Sequence, residues 1–197
     1  MLRELVFPRW CIGCGRDGVL LCRECASSAG GARRARLAGL EVVSCVAYEG
    51  LIREAIAEFK RGRRAFADDL ALILQPFAGP GMTLVPIPTT RRRRAERGFD
   101  QTRLLAEQLR RSCGVRVADF LLRGAGPAQH GRSRVERLAA AGRFRVRRTA
   151  ASSEDLVLFD DVRTTGATLL DAAATLRAAG LPVRVALTLA WTPEDAR

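Results

Sequence analysis

The stretch LVLFDDVRTTGATLL, residues 156–170, constrains the fold more than any other part of this chain. Its opening apolar run, Leu156 to Phe159, suits a strand buried on both faces, as in a parallel sheet covered by helices. Two adjacent acids, Asp160 and Asp161, follow at the expected carboxyl end of that strand. Then comes a hydroxyl- and glycine-bearing turn, Thr164, Thr165, Gly166, Ala167 and Thr168, and an apolar helix to residue 180. Strand, loop and helix in this order cradle a phosphate: free N–H groups at the helix start point at the anion, and the dipole favours its charge. Threonine hydroxyls add donors, and Gly166 lets the backbone approach closely. The loop lacks the lysine of a G-x-x-x-x-G-K-[ST] motif, which argues against an ordinary ATPase. It also lacks G-x-G-x-x-G, which argues against a dinucleotide fold. Two carboxylates ahead of such a cradle suit a ribose 5-phosphate, with the loop on the phosphate and the acids on the 2- and 3-hydroxyls. A plainer reading also stands, in which the acids cap a turn and Thr165 starts the helix. It accounts for one acid and not for the whole string.

The rest of the chain supplies partners for that strand. Residues 41–48, 82–88, 115–123, 143–147 and 182–191 read as strands, rich in β-branched and apolar residues. Residues 51–60, 63–77 and 99–112 read as helices from their apolar spacing, with Pro76 helping to close the second. Residues 30–39 look like a connector, and 124–142 are rich in Gly, Arg and Ala and resist assignment. Strands alternating with helices make this an α/β chain with a doubly wound, mostly parallel sheet. At 197 residues there is room for one such domain, expected over 40–197, and a small module before it.

That module, expected over residues 1–35, carries Cys11, Cys14, Cys22 and Cys25 as C-x2-C-x7-C-x2-C. Two C-x2-C turns, the first eased by Gly13 and Gly15, suit a tetrahedral site of four thiolates, and zinc is the metal such sites hold. Two disulfides or redox dithiols are the competing readings. No apolar run approaches the roughly 18 residues of a membrane span, and MLRELVFPRWC lacks a signal-peptide core. A cytoplasmic chain follows, and that setting disfavours stable disulfides. About 30 residues cannot fold by burial alone, so metal would supply the module's stability. Cys45 and Cys113 read as small packing residues. His130 is the only histidine, so any mechanism needing a histidine pair is excluded.

Charge is unevenly spread. The net charge is +12, and only one of the 33 basic residues, Lys60, is a lysine. Residues 91–148 hold 17 arginines against five acids, while the remainder holds 16 basic and 16 acidic residues. The whole excess therefore lies in one segment, which points to an anionic partner, a phosphorylated small molecule or nucleic acid. The run Arg91–Arg94 also reads simply as the start of a solvated helix.

Residues 157–169 resemble the phosphoribosyl-pyrophosphate signature of type I phosphoribosyltransferases: apolar residues, two acids, apolar residues, then a Thr-Thr-Gly loop. Three further features resemble the ComF family in particular. They are the cysteine cluster, the block LVPIPTTRRRRAERGFDQTRLLAEQL (84–109), and FKRG (59–62). A weaker stretch, 129–144, resembles that family's Q…S-R-x-E-R…F segment, the mobile catalytic loop of such transferases. The resemblance implies that Asp160 and Asp161 hold the ribose diol, directly or through Mg²⁺. It gives the 5-phosphate to Thr164, Thr165, Gly166, Ala167 and Thr168, and the pyrophosphate to Pro88, Thr89 and Thr90, with Arg97 adding charge. Residues 126–140 would close over the substrate. The chain departs from the family at Asp100 and Ala140, where Asn is usual, and at Arg132, where an apolar residue is usual. Thr164 stands where purine-type members place an Asp base, which argues against purine salvage.

The first reading is therefore a phosphoribosyltransferase that binds phosphoribosyl pyrophosphate and Mg²⁺ and acts on an unnamed nitrogenous acceptor, with a link to DNA uptake implied by the resemblance. The alternative is a non-catalytic ligand sensor or single-stranded DNA-binding factor on the same fold. Only Phe99, Phe120 and Phe144 are aromatic in the basic segment, so no stacking platform for bases is evident. A second copy of the chain, in a homodimer, is a further candidate partner.

Overall fold

The computed structural model describes residues 9–123, 143–147 and 156–193. After the cysteine turns and a short helix α1 (Arg23–Ser27), the chain forms β1 (Arg33–Leu37) and β2 (Leu40–Ala47). Two helices follow, α2 (Gly50–Lys60) and α3 (Phe66–Leu74), the second ending in a 3-10 turn at Gln75–Phe77. Next come β3 (Thr83–Pro86), α4 (Arg91–Arg97), α5 (Gln101–Cys113), β4 (Arg116–Val117), β5 (Leu121–Arg123) and β6 (Phe144–Val146). The chain closes with β7 (Leu156–Arg163), α6 (Ala167–Ala178) and β8 (Val183–Trp191).

The main sheet has the order β1-β2-β8-β7-β3-β4. All its pairs are parallel except β1 with β2. This is the mixed α/β fold that the alternating pattern predicts. Among the described residues, no helix is long and apolar enough to cross a membrane.

Helical periodicity explains which faces are buried. On α2, Ile52, Ala55, Ile56 and Phe59 are all fully buried, at the i, i+3, i+4 and i+7 positions of one stripe. Burying a side chain the size of Phe59 contributes about 1.5–3 kcal/mol. Its ring also meets Phe99 at 5.2 Å between centroids, tying the end of α2 to the approach to α5. Leu105, Ala106 and Leu109 of α5 join this core on one face of the sheet. Leu169, Ala172, Ala173 and Leu176 of α6 pack on the other face, together with Leu121 and Phe144 of the small β5-β6 sheet.

The cysteine-bearing segment is fastened to the first face. Leu20 and Leu21 lie in the same core as α2 and α3. Buried Asp69 on α3 accepts the backbone N–H groups of Leu20 (2.8 Å) and Leu21 (3.3 Å) and a hydrogen bond from Arg9 Nη2 (3.2 Å).

Three elements differ from the sequence reading. Residues 33–37, inside the expected connector, are an antiparallel edge strand. RRARL alternates over only four residues, with half-buried Ala35 and Leu37 beside exposed arginines, and it is held by pairing with β2. The expected strand 115–123 is two strands, one pairing with β3 and the other with β6. Finally, β7 runs two residues past the acids, because Val162 and Arg163 pair with Ala190 and Trp191 of β8. Asp160 and Asp161 therefore sit within the strand near its carboxyl end, as the sequence reading has them, with two further residues of strand after them.

Candidate active site at the carboxyl ends of β3 and β7

The chain leaves β3 toward β4 on one side and leaves β7 toward β8 on the other. The crevice between β3 and β7 is thus a topological switch point, where open α/β sheets bind their ligands. The loop after β3 and the loop after β7 form its two walls. A cavity of about 370 Å³ lined by Phe77, Met82 and Val185 lies instead toward the opposite ends of the strands.

The wall after β3 is held by α5. Ile87 N–H donates to Phe159 O (2.8 Å), so the chain still follows β7 as it leaves the sheet. Thr102 Oγ1 donates to Ile87 O (2.7 Å), and Thr89 N–H donates to Asp100 Oδ2 (2.9 Å). Asp100 also caps α5 by accepting Arg103 N–H at 3.2 Å. The two backbone donors meet different oxygens, so the position suits a carboxylate, with an acceptor on each side. Pro88, Thr89 and Thr90 thus lie along the crevice, with Thr90 Oγ1 capping α4 through Arg93 N–H. Residues 91–96 of that helix are exposed, as a solvated helix would be. Arg97, at its end, is half-buried and its Nη1 has no hydrogen-bond partner among the described residues.

The wall after β7 is the loop of the sequence motif. Gly166 has φ 81°, in the left-handed region that favours glycine, and a Cβ there would also strike the Leu37 side chain. Thr165 Oγ1 accepts Ala167 N–H (3.3 Å). Thr164, Thr165 and Ala167 face solvent, and Thr168 Oγ1 accepts from Arg143 Nη1 at 3.2 Å. Arg143 N–H in turn donates to Asp171 Oδ2 of α6 (3.1 Å). Burial, reinforced by the charges of Arg143 and Arg93, pushes the Arg123 guanidinium below its ordinary value, with Asp160 acting the other way. Arg93, Arg123 and Arg143 therefore bring part of the basic segment to the Asp160 side of the crevice.

Between the walls stand the two acids, with opposite surroundings. Successive residues of a strand point to opposite faces. Asp161 is buried and its Oδ2 lies 2.8 Å from Lys60 Nζ, at the end of α2. Burial would raise its pKa, but the Lys60 charge and hydrogen bond hold the carboxyl below its ordinary value. Asp160 lies opposite Thr188 on β8, whose hydroxyl donates to Ser44 (2.7 Å). Burial and the neighbouring Asp161 charge push Asp160 well above the usual carboxylate range. A cleft group displaced in this way is a candidate for chemistry. Lys60 is the residue that sequence reasoning left without a role. Its signal was its singularity, the lone lysine in a chain of arginines.

The four cysteines come together as their spacing requires. All four sulfurs lie within 4.8 Å of one another, and Cys14 and Cys22 are 3.7 Å apart. A tetrahedron of thiolates about 2.3 Å from one zinc has edges of about 3.8 Å, so the donor set and spacing fit that ion. None of the four is in a disulfide. A side chain on Gly13 would press within 2.7 Å of Cys25 Sγ, which explains glycine in that turn. Burial alone would raise the Cys11 thiol, but the N–H groups of Cys22, Cys14 and Gly13 outweigh it and bring it down to about 6. Cys45 is buried in the core, and Cys113 packs against it. The segment 126–140, His130, Arg132 and Ala140 lie outside the described residues.

No family model matches the chain. It is 33% identical over 132 residues to Competence protein ComFC of Bacillus subtilis (strain 168), a match covering 64% of this chain and 53% of that protein. The chain thus spans about half the length of the curated relative it matches. That similarity stands beside a mostly parallel sheet and a cysteine cluster of the kind the sequence motifs anticipated.

Proposed function

We propose that the chain is a phosphoribosyltransferase that binds phosphoribosyl pyrophosphate at the β3–β7 crevice and passes the phosphoribosyl group to a nitrogenous acceptor. The observation that carries this reading is the placement of two unlike carboxylates between a Thr-Thr-Gly loop and a second, independently pinned loop. Thr164, Thr165, Gly166, Ala167 and Thr168 hold the 5-phosphate with hydroxyls and backbone N–H groups. Pro88, Thr89 and Thr90 line the pyrophosphate position, and Arg97 and Arg93 add positive charge there. Asp160 accepts from a ribose hydroxyl as it stands, and Asp161 does so in competition with Lys60. In the reaction the C1–oxygen bond breaks and its electron pair leaves with pyrophosphate. The acceptor nitrogen forms the new bond to C1 and loses its proton to water.

The Asp160 and Asp161 side chains meet each other on β7. They suit a Mg²⁺ that arrives on the pyrophosphate and is met through the ribose hydroxyls. When bound, Mg²⁺ supplies charge stabilisation to the departing pyrophosphate. Cys11, Cys14, Cys22 and Cys25 hold a structural zinc in this reading. The relative's name ties it to competence, and we extend to this chain a link with DNA uptake in a cytoplasmic setting.

Calorimetry with phosphoribosyl pyrophosphate and Mg²⁺ tests the proposal. Saturable binding that weakens in Asp160→Asn supports it, and absence of binding by folded, zinc-loaded protein removes it. The exposed arginines of α4 favour a second reading, single-stranded DNA binding by charge. That reading requires affinity to fall steeply with salt.

A further inference from the structure

Resting on the phosphoribosyl reading of the loop after β7, we propose that Arg143 is a positioning residue for the 5-phosphate. It fixes the Thr168 hydroxyl as a donor to that group, and Asp171 holds Arg143 in place. Donors and acceptors decide the role. A guanidinium has N–H donors and no acceptor, whereas a threonine hydroxyl has one proton and two lone pairs. Arg143 Nη1 donates to Thr168 Oγ1 at 3.2 Å, so it occupies a lone pair and leaves the hydroxyl proton for another acceptor. Threonines within helices commonly give that proton to the carbonyl four residues back. Thr175 on the same helix does so, donating to Asp171 O at 2.8 Å. Thr168 makes no such bond among the described residues. It stands in the first turn of α6, where backbone N–H groups also lack helical partners. A group that meets Thr168 there meets donors alone. That favours an ionised phosphate, all acceptor and no proton to give, over the hydroxymethyl group of an unphosphorylated pentose.

The guanidinium is not needed to hold the β5-β6 hairpin. Phe144, next along the chain, is buried with Leu121 against Leu169, Ala172 and Leu176 of α6. Arg143 N–H donates to Asp171 Oδ2 at 3.1 Å, and Arg123, the strand partner of Phe144, lays its guanidinium 4.9 Å from that ring's centroid. The Arg143 side chain is half-exposed, and its Nε lies 3.8 Å from the same Asp171 oxygen. An exposed pair of that length contributes little to stability. Its effect is on direction. Thr168 and Asp171 are three residues apart on one face of α6, so Asp171 steers the guanidinium fork onto Thr168. The same carboxylate compensates Arg143, so the phosphate is met through the oriented hydroxyl and not by an orphan charge.

A double-mutant cycle tests this, read by calorimetry on the full, zinc-loaded chain with phosphoribosyl pyrophosphate and Mg²⁺. Arg143→Met removes the donors and keeps the stem, and Thr168→Val removes the hydroxyl at nearly constant shape. Each should weaken binding by about tenfold. The double variant should fall no more than about twofold below the weaker single variant, because both changes remove one device. Thr168→Ser keeps the hydroxyl and should bind within about twofold of the parent, which guards against a loop that merely misfolds. Factors that multiply, unchanged binding in Arg143→Met, or a Thr168→Ser as weak as Thr168→Val overturns the proposal. Ribose 5-phosphate, titrated into the same variants, separates the two failures. If phosphoribosyl pyrophosphate binds and Arg143→Met matches the parent, the role of Arg143 falls and the phosphoribosyl reading stands. If only ribose 5-phosphate binds, with the two residues coupled, the phosphoribosyl reading fails and the pair stands as a phosphate site. If neither ligand binds, both fall.

Discussion

The two faces of the sheet treat neighbouring carboxylates on β7 in opposite ways. On the face of α2, α3 and α5, Asp161 has a cation within 2.8 Å, supplied by the last residue of a helix anchored through Phe59. On the face of α6, Asp160 has burial and a like charge as its main influences, and its arginines act from farther off. The first face spends its charges on structure. The second keeps a carboxylate in an unfavourable state beside a loop that is open to solvent. Strain of this kind persists where surrounding packing over-determines it, and it is the mark of a binding surface more than of a scaffold.

Five experiments break or sharpen this contrast. The largest effect should come from metal removal, which acts on the first face alone. Chelation should release about one zinc per chain and lower Tm by about 10 °C or more, because the cysteine segment loses its main source of order. A Tm unmoved by a chelator that strips the metal would show the segment holds without it. Next, Lys60→Met leaves Asp161 buried and unpaired and should cost about 2–3 kcal/mol in urea unfolding, the lower end for a pair whose lysine is partly exposed. The opposite sign is expected on the other face. Asp160→Asn should stabilise the protein at pH 7 by about 1 kcal/mol while weakening phosphoribosyl pyrophosphate binding, the usual exchange of stability for function.

Titration sharpens the same pair. The folded pKa of Asp161 is lowered, so its contribution is present above the unfolded value of about 3.9 and is lost as pH falls through the folded value. That of Asp160 is raised, so its contribution is full below about 3.9 and is lost as pH rises toward the folded value. The two partly cancel in the native protein. Stability of Lys60→Met should therefore fall as pH rises above about 4, and that of Asp160→Asn should not. Parallel curves for the two variants would contradict the assignment. The smallest effect is expected from Gly166→Ala, which forces a left-handed φ on alanine and should cost about 1–2 kcal/mol. Unchanged denaturation would mean that the loop relaxes freely.

Much of this was legible in the sequence where local pattern and fold agree. Ile52, Ala55, Ile56 and Phe59 announce a buried helical stripe, and the cysteine spacing announces a cluster, because both depend on residues close along the chain. The 156–170 string shows strand, loop and helix for the same reason. What it did not reveal depends on distant partners. Nothing local tells that Lys60 meets Asp161 across a hundred residues, or that Asp69 receives the backbone of Leu20 and Leu21. Strand β1 was hidden because its alternation is only Ala35 and Leu37 among three arginines, and β7 outran its expected end because β8 was there to pair with Val162 and Arg163.

Those same arginines govern how copies of the chain can meet. An open sheet offers each outer strand as a template for another, the usual route to strand-by-strand association. Here one border carries three arginines in five residues, and the other, β4, is two residues long. Two copies approaching border to border would bring guanidinium against guanidinium on one side and find almost no backbone to pair on the other. Strand-by-strand growth through the borders of this sheet is therefore disfavoured, and the six-stranded sheet stays finite at concentrations where a bare border would let it grow.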